Sequence, residues 1–190
     1  MKRCDWALTD PLSLQYHDEE WGNPCFEDKR LFEFLILEGA QAGLSWRTIL
    51  QKRENFRLAY NDFDATKIAC YNSKKINSLL NNSGIIRNKL KIESTIQNAR
   101  GYLAIQQEFG GFSDYLWRFV EGKPIINHWR KMAEVPAKTT LSDQLSKDLK
   151  QRKFNFVGST ICYAYMQAVG MVNDHLIGCV ARTKKTKKIR

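Results

Sequence analysis

Leu79-Leu80-Asn81-Asn82-Ser83-Gly84-Ile85-Ile86-Arg87-Asn88-Lys89 is the stretch on which the fold turns. Ahead of it, Ser73–Leu80 carries Ile76, Leu79 and Leu80 at helical spacing; behind it, Ile92, Ile96, Ala99 and Leu103 continue the same period. The polar, Gly-containing segment between them breaks one helix and starts another, a helix–hairpin–helix pattern. Gly84 is expected to supply a positive φ for the tight turn. Backbone N–H groups opening the second helix can face a phosphate, with Arg87, Asn88 and Lys89 adding donors. The same segment also reads as an ordinary αα-hairpin with a solvated basic end.

Outward from the hairpin the period stays helical, strand-like alternation is nearly absent, and the fold class reads as all-α. Asp10 and Pro11 predict a short helix over 11–17. Residues 1–27 are otherwise irregular, with Pro11, Gly22 and Pro24 as breakers. Asp28 is expected to cap a helix running through Leu31, Phe32, Phe34, Leu35, Ile36 and Leu37, apolar on most faces and so buried in its second half. Glu38 ends that run, and a carboxylate there must be paired, protonated or functional. Gly39 to Gly43 read as a small, flexible linker, after which Ser45 caps a helix opening with Trp46. Further helices are expected near 64–70, 113–120, 142–152 and 160–169, with a long connection over 121–139 containing Pro124 and Pro136. Residues 1–180 read as one helical domain.

The 190 residues carry a formal net charge of +10, with 43% hydrophobic residues, so the chain has material for a real core. Six of the positive charges lie in 182–190; without them the body stays basic at +4. The 181–190 tail is expected to be disordered, either solubilising or attracting nucleic acid. No secretory signal or membrane-spanning run is visible. The expectation is a cytoplasmic monomer.

The five cysteines, 4, 25, 70, 162 and 179, are odd in number and scattered, which disfavours a disulfide framework. Cys25, Cys70 and Cys162 read as core. Cys4 with His17, and His175 with Cys179 at i, i+4 spacing, make a Cys₂His₂ set suited to a closed structural Zn²⁺ site. Two buried cysteines and two hydrogen-bonded histidines account for the same pattern. His128, the third histidine, reads as a surface residue.

Several blocks together resemble one family: Arg3-Cys4-Asp5-Trp6, Asp10-Pro11-Leu12, Tyr16-His17-Asp18-Glu19-Glu20-Trp21-Gly22, Glu38-Gly39-Ala40-Gln41-Ala42-Gly43-Leu44-Ser45-Trp46, Lys52-Arg53-Glu54, Gly84-Ile85-Ile86-Arg87, Phe156-Val157-Gly158-Ser159-Thr160-Ile161-Cys162 and Asn173-Asp174-His175. They are similar to 3-methyladenine DNA glycosylase I, over nearly the whole chain. The resemblance implies a helix–hairpin–helix glycosylase fold. It also implies a structural zinc at Cys4, His17, His175 and Cys179 that ties the irregular N-terminus to the C-terminus. The partner it implies is double-stranded DNA containing alkylated bases. Glu38, Tyr16 and Trp46 would form the base pocket, with Glu38 as catalytic residue. Gly43 and Leu44 would probe the duplex, Leu44 as an apolar wedge. Gly84, Arg87 and Lys89 would anchor the DNA backbone. Two departures accompany the match. Position 13 is Ser where the family pattern has a Tyr lining the pocket, and the Asp that most of the wider superfamily carries after its hairpin has no evident counterpart.

The implied reaction is monofunctional hydrolysis of the N-glycosidic bond of N3-methyladenine, without strand nicking. A noncatalytic, zinc-stapled DNA-binding module is the alternative. A zinc hydrolase using His17 or His175 with Glu38 is disfavoured by a closed ligand set.

Overall fold

The computed structural model describes residues 2–182, so the expectation about the basic tail lies, from residue 183 on, outside the described residues. Nine α-helices are described: α1 Pro11–Glu19, α2 Asp28–Gln41, α3 Trp46–Ala59, α4 Ala65–Ala69, α5 Ser73–Leu80, α6 Lys89–Phe109, α7 Phe112–Trp117, α8 Thr140–Gln151 and α9 Ser159–Ala168. The all-α reading holds with one addition. Ile125–Ile126 (β1) and Val172–Asn173 (β2) form a short parallel pair inside what the sequence presents as irregular connections. Two residues per strand are too few for alternation to register.

Helix α2 is the axis of the core. Every residue from Leu31 to Ala40 is buried, and the helix packs against α3, α6, α7 and α9. It runs on through Gln41, so Gly39 and Ala40 are helical rather than part of a linker. Gly39 is small for a packing reason: a Cβ there would stand 3.2 Å from Phe156 Cβ. Asp28 does not cap its own helix. Its carboxylate accepts from Phe112 N (2.9 Å) and Ser113 N (2.8 Å), capping α7, whose own N-cap, Gly111, has no side chain to offer.

Residues 81–88 join α5 to α6, which pack against each other, and Gly84 between them is not at positive φ. Asn82 Oδ1 accepts from Gly84 N at 2.8 Å, and a Cβ at 84 would meet Asn82 and Asn55 at 3.0–3.1 Å, so close approach is what requires glycine. Asn88 caps α6, Asp10 caps α1, Ser45 caps α3 and Thr139 forms a capping box with Ser142 on α8. Gly170 ends α9 at φ +70°, against the backbone of Asn23. Cys25 and Cys162 are buried, whereas Cys70 is exposed at the end of α4, contrary to its core assignment.

A buried ion network joins three elements. Arg53 on α3 donates to Glu33 on α2 (2.6 Å) and to Glu20 just after α1 (2.8 Å), and its guanidinium lies 4.9 Å from the Phe34 ring centroid. Removing one partner from such a group strands the other charge, so the network fixes the relative placement of α1, α2 and α3.

Candidate active site and metal cluster

Between α1, α2, α3 and α9 lies a cavity of about 370 Å³, roofed by residues 132–137. Tyr16 on the second turn of α1 is 3% exposed, and Trp46 opens α3 where Ser45 caps it; their ring centroids are 5.3 Å apart at 50°. Glu38 enters from the last turns of α2, 4% exposed, with no hydrogen bond to its carboxyl among the described residues. Burial pushes that carboxyl up to about 8. Burial also lifts the Tyr16 phenol well above its ordinary range, with Glu38 adding to the effect, so Tyr16 stays a hydroxyl. The pocket is therefore electron-rich rings around a carboxyl that is mostly neutral at pH 7 and unpartnered.

Cys4, His17, His175 and Cys179 meet behind this cavity, all buried, with one ligand atom of each within 4.8 Å of every other. His17 Nε2 stands 3.1 Å from His175 Nδ1 and 3.5 Å from Cys179 Sγ. His175 Nδ1 is 3.6 Å from Cys179 Sγ and 3.9 Å from Cys4 Sγ. The outward nitrogens are engaged: His17 Nδ1 with Asp18 (2.8 Å), itself held by Arg3, and His175 Nε2 with the Trp21 carbonyl (2.9 Å). Contacts of this kind orient the ring of a histidine whose other nitrogen is offered to a metal. Burial lowers His175 to about 4 and raises the Cys4 thiol to about 12. The four residues form a buried cluster able to hold a metal ion. Two of the cavity's aromatic rings hang from it: Trp6 lies 5.2 Å from His17, and Trp21 lies 4.7 Å from His175.

At the cavity rim the chain turns through Gln41–Ser45. Leu44 N donates to Gln41 O at 2.7 Å, Gly43 sits at φ +78° in open space, and Leu44 is 40% exposed, not packed on α3. Lys91 Nζ, from the first turn of α6, donates to Ala40 O (2.8 Å) and Ala42 O (2.6 Å). A cation is favourable at the carbonyl end of a helix, and here it clamps the turn beside the hairpin that carries Gly84, Arg87 and Lys89.

A sequence model of the methyladenine glycosylase family matches residues 6–183. The chain is 49% identical over 179 residues to DNA-3-methyladenine glycosylase 1 of Escherichia coli, covering 94% of this chain and 96% of that protein. It is 47% identical over 181 residues to DNA-3-methyladenine glycosylase of Haemophilus influenzae, covering 95% and 98% respectively.

The chain belongs to the methyladenine glycosylase family.

A solved structure in the family, described as the structural basis of 3-methyladenine recognition by 3-methyladenine DNA glycosylase I from Staphylococcus aureus, agrees with a TM-score of 0.93. Its identity to this chain is 38%, covering 97% of this chain and 98% of that one. Glu38, Tyr16 and Trp46 share one cavity in this family member, and the four Cys and His residues share one cluster. Arg87 and Lys89 are exposed at the hairpin, outside the cavity. His128 is exposed, as expected. Ser13 does not line the cavity; its hydroxyl donates to Asp10 at 2.7 Å, and Trp6, 6.3 Å from Tyr16, supplies an aromatic wall instead. Asn98 bridges to the Asn155 backbone through both amide atoms, a structural use.

Sequence reasoning missed Trp6, Trp21, Tyr163 and Gln167 as cavity residues. The first two stand in the quoted motif blocks, close to Cys4 and His17, which was the available signal. It also passed over the α8–α9 hairpin: α9 begins at Gly158 with no side-chain cap, beside an open groove edged by Lys150 and Lys153.

Proposed function

We propose that this chain hydrolyses the N-glycosidic bond of N3-methyladenine in alkylated double-stranded DNA, releasing the base and leaving an abasic site. The observation that carries the reading is Glu38, an unpartnered carboxyl on the wall of an aromatic cavity in a member of this family. N3-methylation makes the base cationic. As such a base enters, its charge favours ionisation of Glu38, and the carboxylate gains the partner the empty cavity withholds. A neutral base would leave that charge buried and unpaired. The rings of Tyr16, Trp46, Trp6 and Trp21 add cation–π attraction of roughly 0.5–2 kcal/mol per good contact.

In the chemical step the C1′–N bond breaks and its electron pair neutralises the departing base. Ionised Glu38 stabilises the positive sugar, water adds to C1′, and the water's second proton leaves to solvent. A leaving group that is already cationic needs no strong acid. No lysine lines the cavity among the described residues, which supports hydrolysis without a Schiff base or strand nicking. Extrusion of the nucleotide would be held open by Leu44, with Gly43 allowing close approach of the turn. The backbone would be gripped by the Gly84, Arg87 and Lys89 hairpin and by the α8–α9 hairpin, whose uncapped N–H groups suit a phosphate.

Zn²⁺ fits the cluster. Zn–N of about 2.0 Å and Zn–S of about 2.3 Å in a tetrahedron give N···N edges of about 3.3 Å and N···S edges of about 3.5 Å, close to the separations among His17, His175 and Cys179, with Cys4 standing slightly farther out at 3.9 Å from His175. Four protein ligands leave no open position, so the ion would staple the termini and the Trp6, Tyr16 and Trp21 wall rather than activate water. Release of 3-methyladenine from methylated duplex DNA, read by chromatography with nicking scored in parallel, tests the whole. Damage-independent binding with no release would instead establish a noncatalytic module, and hypoxanthine release at a comparable rate would sink the charge-based selectivity.

A further inference from the structure

Asp174 is fully buried behind the cavity wall, and no cation pairs with it among the described residues. It accepts four hydrogen bonds at 2.7 Å: Asn127 Nδ2 and Trp129 Nε1 on Oδ1, the Tyr163 hydroxyl and Gln167 Nε2 on Oδ2. Tyr163 and Gln167 both line the cavity. With two donors on each of its oxygens, Asp174 is the acceptor at both, and the Gln167 amide is oriented by it. The NH₂ group faces Asp174. The oxygen Oε1 has no partner among the described residues and is not among the buried unpartnered atoms, which leaves it on the cavity surface.

We propose that Gln167 Oε1 is a second reader of the base, an acceptor for a purine N–H and a negative dipole toward its positive charge, and that Asp174 is the positioning residue that keeps this oxygen outward. The proposal rests on the glycosylase reading above and adds a specificity determinant to it. The pattern on Asp174 makes the lock one-sided. Indole N–H only donates, so in Asp174→Asn the side-chain oxygen must stay opposite Trp129 Nε1. The new NH₂ then faces Tyr163, whose hydroxyl can turn to accept, and Gln167, whose amide must flip to accept. That flip turns an NH₂ toward a cationic base.

The test is a double-mutant cycle on 3-methyladenine release from methylated duplex, with free-base titration by tryptophan fluorescence. Gln167→Met keeps the shape and removes the acceptor; kcat/KM should fall about tenfold, the scale of one hydrogen bond. Asp174→Asn should cost at least as much in the wild-type background and less than threefold on top of Gln167→Met, because the oxygen it controls is already gone. A merely structural Asp174 would cost the same factor in both backgrounds, which would overturn the positioning role. Unchanged kcat/KM and unchanged free-base affinity in Gln167→Met would overturn the reader role, and that arm decides even where Asp174→Asn fails to fold. A wild-type chain that binds methylated duplex but releases nothing would overturn the glycosylase reading itself, and this proposal with it.

Discussion

Glu38 and Asp174 are two carboxylates buried on either side of one wall, and they differ in what surrounds them. Asp174 has four donors pointed at it. Glu38 has none, and burial alone raises its proton affinity. The fold has satisfied one acid completely and left the other to be satisfied by something that enters the cavity. Burial therefore does not tell the two acids apart; the missing partners do. Leaving a buried polar group unmatched costs stability, and such a cost persists where a ligand offsets it.

The largest expected effect tests the unpartnered acid. Glu38→Gln should slow 3-methyladenine release by roughly 10²–10⁴-fold, the range for a positioned acid–base or electrostatic group, in a chromatographic assay; a near wild-type rate would remove the contrast. Next, Asp174→Ala strands four donors, and denaturant unfolding should show a loss of roughly 3–5 kcal/mol. A loss below about 1 kcal/mol would mean that the donors find water as easily as they found the carboxylate.

The pH dependence sharpens the comparison further. The Glu38 carboxyl moves from an ordinary 4.5 to about 8 on folding, so between those values the folded state holds a proton the unfolded state has lost. Stability then falls as pH rises across that window. Wild type and Glu38→Gln should be equally stable below pH 4.5, with the variant ahead at pH 8 by a few kcal/mol, on the order of the linkage. If pairing with the cationic base requires the ionised form, wild-type kcat/KM should climb about tenfold per pH unit and level off above about 8. A flat profile would mean that Glu38 acts as a neutral hydrogen-bonding group.

Smaller effects belong to the rim. Leu44→Ala should lower release from duplex about tenfold while free 3-methyladenine binds as before, since an apolar wedge at this position would act on the duplex and not on the pocket. Lys91→Met should move the same two measurements in the same direction, by about threefold, through the loosened carbonyls of Ala40 and Ala42. Loss of free-base binding in either variant would place these residues with the pocket and not with the duplex.

Much of the site was legible in the chain. The caps at Asp10 and Ser45, the break before Asn88 and the i, i+4 pairing of His175 with Cys179 are local signals, and each stands where the period and spacing place it. Local reasoning failed where the deciding neighbour lies far along the chain. Asp28 looks like a cap for its own helix and caps α7 instead. Gly84 looks like a positive-φ glycine and is small because Asn55 approaches it. Cys70 looks like core and is exposed, because it falls at the C-cap of α4, past the helix's buried face.

By itself the sequence determined the helical period, the helix starts, the basic body and the set of chemically apt residues, because these depend on neighbours within about one helical turn. Only the tertiary structure decided which acid goes unpartnered. Asp174 and Glu38 are equally carboxylates on paper, and their difference is made by Asn127, Trp129, Tyr163 and Gln167, brought to one of them and not to the other. Satisfaction of a buried charge is a property of three-dimensional surroundings, and no residue carries it in its own name.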